Sequence, residues 1–108
     1  MKLLIQILFS IFFIIAIGDH VYELFKNDFN CIWWHLIYFI TYGVCWWTFF
    51  SDVKSRSLIY LVMAAFPFTT HLYYGIQHAL LLDRIFWVCL LVCILLPAGF
   101  IFLKKEII

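Results

Sequence analysis

Four long apolar runs, separated by short polar breaks, set the rhythm of this 108-residue chain. The runs cover Leu3–Ile17, continuing as helix to about Phe25, then Cys31–Phe50, Ser57–His78 and Ile85–Leu103. Charges collect between them, at Lys26, Asp28, Asp52, Lys54, Arg56, Asp83 and Arg84. Each run is close to the ~20 residues that a helix needs to cross a bilayer core. None shows the alternating pattern of a membrane barrel strand. The pattern predicts an all-α integral membrane protein, with four transmembrane helices in an up-down bundle. The spans are about 3–25, 31–50, 57–78 and 85–103. They use almost all of the chain, so residues 1–108 form a single domain.

Composition reinforces this reading. Hydrophobic residues make up 68% of the chain and charged residues 12%, too few polar groups to cover a soluble domain of this size. Lipid is therefore the expected partner of the outer surface. A net charge of +1 argues against nucleic acid, which requires a basic face. The positive-inside bias sets the orientation. With the N-terminus inside, Lys2, Lys54, Arg56, Lys104 and Lys105 lie on the inner side. The outer side then holds Lys26 and Arg84 with Asp19, Glu23, Asp28 and Asp83. Both termini are expected in the cytoplasm, with the chain in the cell (inner) membrane.

Two features refine the spans. Trp33-Trp34 and Trp46-Trp47 lie near opposite ends of the second run, as interfacial tryptophans do. Lys2, the first apolar run and Ala16-Ile17-Gly18 also resemble a secretory signal with a cleavage site after Gly18. Cleavage there leaves three spans. The reading adopted here keeps residues 1–18 as part of the first span.

The chemistry lies in the histidines. On antiparallel second and third helices, His35 and His71 fall at similar depth in the outer leaflet. His78 lies one heptad beyond His71 on the same face. His20 lies just past the outer end of the first apolar run, with Glu23 three residues on. All four histidines of the chain thus fall in its outer third. Helical spacing aligns Cys31, His35, Tyr38 and Tyr42 on one stripe, and Tyr60, Ala64, Pro67, His71, Tyr74 and His78 on another. Gln6, Phe13 and His20 fall near a common line on the first helix. Polar residues in membrane helices face the bundle interior or a wet cavity, so the three stripes are expected to meet.

Such a site has several candidate occupants. His20, Glu23, His35, His71 and His78 are candidate ligands for a transition metal, since imidazole and carboxylate are common metal donors. His35 and His71 at matched depth are candidate axial ligands for a haem, with Tyr38 and Tyr74 as supporting groups. A quinone or lipid held by the same His and Tyr side chains is a third occupant. Against these stands plain packing, in which the histidines bond neighbouring helices. H-x-x-x-H, H-E-x-x-H and C-x-x-C spacings are all missing.

Other features carry less. Cys89 and Cys93 share a face of the fourth run, with side-chain directions unsuited to a disulfide. Cys31 and Cys89 are the only cysteines of matching depth on the outer side. Pro67 and Pro97 interrupt the third and fourth helices, and Thr69 or Thr70 is expected to bond the freed carbonyls. No carboxylate lies deep in a span, which removes the embedded acid of proton-coupled exporters. No nucleophile–base pair or phosphate-binding glycine loop is present, so no catalytic residue is assigned. Two function classes remain. One is a non-catalytic accessory or ligand-binding membrane subunit, with a polar His/Tyr site opening outward and other membrane subunits or further copies of itself as partners. The other is a metal- or haem-binding redox or catalytic bundle.

Overall fold

The computed structural model describes residues 1–108 and contains four helices: α1 (Lys2–Lys26), α2 (Ile32–Thr48), α3 (Arg56–Gln77) and α4 (Arg84–Lys104). They form an up-down bundle in which each helix packs on its neighbours in the chain. The ends have local causes. Asp83 caps α4, its side chain accepting the Phe86 N–H at 3.1 Å. Lys26 and Lys104 sit in the last turns of α1 and α4, where a cation meets the negative end of the helix dipole. Cys31 is left-handed, with φ 60°, so α2 starts one residue later than the apolar run. Asp28 and Phe29 share that backbone region, and together the three turn the chain between α1 and α2 without a glycine.

The helices differ from the expected spans in one respect. By length and composition α1 and α4 are able to cross a membrane, whereas α2 and α3 fall short of that criterion. The reasons are visible in the chain. α2 has 17 residues, roughly 26 Å of helix, because Phe49 and Phe50 leave it in a turn. α3 has 22 residues but spends many on Arg56, Ser57, Thr69, Thr70, His71 and Gln77.

The core is aromatic. Phe9 and Phe13 of α1 hold Phe49 between them, at ring-centre distances of 4.8 and 5.8 Å. Phe9 also meets Phe102 of α4 edge-on at 5.9 Å, which closes α1 onto α4 toward the end that holds both termini. Polar ties cross the same region. Gln6 donates to the Phe49 carbonyl at 2.8 Å, and the Trp46 indole donates to the Ser10 hydroxyl at 2.9 Å. Tyr60, fully buried, donates to the Leu96 carbonyl at 2.8 Å. Gly99 makes room for it: a Cβ there would stand 3.0 Å from the Tyr60 Cζ and 3.1 Å from Phe49.

Only 26 of the 108 residues are buried, so most of the apolar side chains face outward. Trp33, Ile40, Val62, Ile76 and Leu81 are among those on the outside. Pro67 is buried within α3 and offers no N–H to the Met63 carbonyl. Neither threonine repairs this as expected. Thr70 donates to the carbonyl of Pro67 itself at 3.2 Å, and Thr69 is exposed. All four cysteines are free, with Cys31 exposed and Cys89 buried.

Candidate functional site

The end of the bundle where α1 finishes and α2 begins, expected to face outward, gathers polar side chains from three helices. His20 comes from the last turns of α1, His35 from the first turn of α2, and His71 from the later half of α3. All three are buried. The His20 and His35 rings face each other through their Nδ1 atoms at 3.3 Å, so one ring donates and the other accepts. The His20 ring lies flat on Tyr38, with centres 3.8 Å apart, and stands edge-on to His71 at 5.8 Å. His71 donates its Nδ1–H to the Pro67 carbonyl at 2.7 Å, which leaves Nε2 as an acceptor in the neutral ring. The Tyr38 hydroxyl bonds Thr70 Oγ1 at 2.5 Å.

Below this group lies Tyr42, fully buried and packed against Phe12, Phe13 and His20. Its hydroxyl is the one buried side-chain polar atom with no hydrogen-bond partner. Leaving such a group unsatisfied costs about 1–3 kcal/mol, which makes this position a poor choice for packing alone.

Two adjacent spaces surround these residues. A cleft of about 320 Å³ is lined by Trp34, Tyr38, Tyr74, His78, Cys89 and others, with His20 and His71 in its wall. A smaller chamber of about 110 Å³ lies between α1 and α4, against Phe12, Ala16, Tyr42 and Val92. The two share Asp19, His20, His71, Arg84 and Val88. At the rim, Arg84 pairs with Asp19 and approaches Glu23 at 3.8 Å, strapping α4 to α1. His78 pairs with Asp83 at 2.8 Å. That carboxyl is held below its usual range, first by the Phe86 N–H and then by the His78 ring.

The metal expectation meets a geometric obstacle. No three of the His, Cys, Asp and Glu side chains come together in a way that could hold an ion. His20 and His35 face each other, but Glu23 turns to Arg84 and His78 to Asp83. His71 spends one nitrogen on its own helix. For a haem, His35 and His71 would need an open slot between them. Instead the His20 ring packs within 5.5 Å of His35 and 5.8 Å of His71, and Tyr38 stacks on it. Tyr74 reaches the cleft wall from the exposed side.

Three participants lay outside the sequence reading. Arg84 was legible only as an outer charge, and its pairing across the bundle depends on how α4 returns to α1. Thr70 was legible only as a backbone partner, not as the partner of Tyr38. Tyr42 stood on the right stripe, but its orphaned hydroxyl is a property of packing. Comparisons with family models, with curated proteins and with solved structures find no match.

Proposed function

We propose that this chain is an integral membrane bundle, both termini cytoplasmic, whose outer cleft binds a small neutral organic molecule bearing hydroxyl or carbonyl oxygens. Its role is that of a non-catalytic ligand-binding or accessory membrane subunit. The observation that carries the ligand reading is the buried, unpartnered Tyr42 hydroxyl beside His20 and His71, against a chamber that shares walls with an open cleft. A hydroxyl there accepts from Tyr42 and donates to the free nitrogen of His71, while a carbonyl satisfies Tyr42 alone. Apolar walls with a few convergent polar groups are the general makeup of small-molecule sites. A flat ring of the quinone class suits the aromatic wall of Tyr38 and Trp34.

The membrane reading is supported by the outward-facing apolar side chains, by the two long apolar helices, and by the inner-side excess of lysine and arginine. The reading of 1–108 as one unit is supported by its continuous core.

The test is a native mass spectrum of the protein in mild detergent, beside a His35→Ala/His71→Ala variant. The expected result is an organic adduct on the wild-type chain that the variant loses. An adduct containing iron or zinc would replace this reading with the metal or haem one. A bare chain in both, with equal helicity, would make the histidines packing residues.

A further inference from the structure

The inner end of the bundle carries a second, unrelated site. Its cleft, about 330 Å³, is built from the loop before α3, the first residue of α1 and the end of α4. Lys2, Lys54, Arg56 and Lys104 line it, against Asp52 and Glu106. Four cations thus face two carboxylates. Arg56 is occupied, donating to the carbonyls of Ser51 and Ile108. None of Lys2, Lys54 and Lys104 takes part in an ion pair, since the three such pairs in the molecule all lie at its outer end. The first turn of α3 also presents unpaired backbone N–H groups here, because its cap makes no side-chain bond.

About one helical turn further along α3 and α4 lies an apolar groove. Pro97, Phe100 and Lys104 follow one another at helical spacing on α4, as Phe68, Ala64, Leu61 and Ser57 do on α3. Lys104 and Ser57 belong to the basic cleft, and the rest line a groove of about 320 Å³ between α3 and α4. The small Ala64 and Ala65 side chains form its floor, and Ala65, Leu61 and Pro97 are exposed. A cationic cleft next to an apolar groove on the same two helices matches the charge pattern of one amphiphile: a phosphate head with a hydrocarbon chain.

We propose that this seam holds one anionic phospholipid of the cytoplasmic leaflet. Its phosphate sits among Lys54, Lys104 and Lys2, and one acyl chain lies along Ala64, Ala65 and Pro97. The inference rests on the membrane reading above and is independent of the outer ligand. Cationic side chains near the membrane surface each add modest attraction for anionic lipid, and a fitted chain adds selectivity for lipid over free phosphate.

The experiment is native mass spectrometry of the full chain in detergent, titrated separately with phosphatidylglycerol, phosphatidylcholine of the same chains, and inorganic phosphate. Lys54→Gln/Lys104→Gln and Ala65→Trp are run alongside, with helicity checked by circular dichroism, and Ala65→Leu serves if the tryptophan disturbs folding. The expected result is a single phosphatidylglycerol adduct that outlasts phosphatidylcholine under collisional activation. The double lysine variant weakens it by about tenfold, and Ala65→Trp removes it. Equal retention of the two lipids overturns the proposal. So does unchanged retention in Ala65→Trp, and phosphate binding as well as the lipid assigns the cleft to free phosphate instead. A chain that stays in solution without detergent overturns the membrane reading and this proposal together. A membrane-bound chain without lipid preference overturns this one alone.

Discussion

Gly99 and Tyr42 mark the two kinds of constraint that single residues carry here. At Gly99 the constraint is steric, because the Tyr60 and Phe49 rings occupy the space of a side chain. Gly99→Ala is expected to destabilise the bundle by about 1–3 kcal/mol through overpacking and loss of the Tyr60–Leu96 bond. Thermal unfolding in detergent reads this directly, and an unchanged midpoint would contradict the tight contact. At Tyr42 the constraint is one of polarity. Removing an unpaired buried hydroxyl relieves a cost, so Tyr42→Phe is expected to leave the bare protein as stable or more stable. The same variant is expected to weaken ligand retention by about tenfold, the loss of one hydrogen bond. Lower stability without any loss of ligand would reverse both expectations.

Helices end where specific side chains stop them, and α4 gives the clearest case. Asp83 caps it and is bonded from both sides, by the Phe86 N–H and by the His78 ring. Its carboxyl is depressed in the folded state, so its contribution is complete above the ordinary aspartate range. It declines as pH falls through the depressed value. Amide exchange at Phe86 and Trp87 is therefore expected to quicken in acid relative to the rest of α4, and to be fast at all pH in Asp83→Ala. Uniform exchange along α4 would remove Asp83 as the cap. The four helices and their order were legible in the sequence, because a charge or a polar break stands at every boundary. Cys31 was not, since nothing in an apolar cysteine before Ile32 signals a left-handed residue. Nor was the shortness of α2: Phe49 and Phe50 continue the hydrophobic pattern while the backbone turns away to place Phe49 between Phe9 and Phe13.

The whole molecule is organised by depth. Its middle is aromatic, one end holds the imidazoles, and the other gathers Lys2, Lys54 and Lys104. The meeting of the histidine stripes was legible, because helical period and alternating direction fix which faces converge. Their detailed partners were not, since Arg84 with Asp19 and His78 with Asp83 depend on how the loops bring the helix ends together. At this scale the expected outcome is simple. The chain should remain with membranes through an alkaline carbonate wash, and release into the supernatant would contradict the bilayer reading.

Trp34 stands in the wall of the outer cleft, edge-on to Tyr38 at 5.8 Å. The other four tryptophans do not line it. The protein therefore carries its own optical gauge of occupancy. Anything that settles beside Tyr38 changes the surroundings of one indole, and a redox-active ring would drain its excited state. Emission from a chain retaining only Trp34 should dim as the cleft fills, and a signal indifferent to ligand would mean that the molecule rests elsewhere.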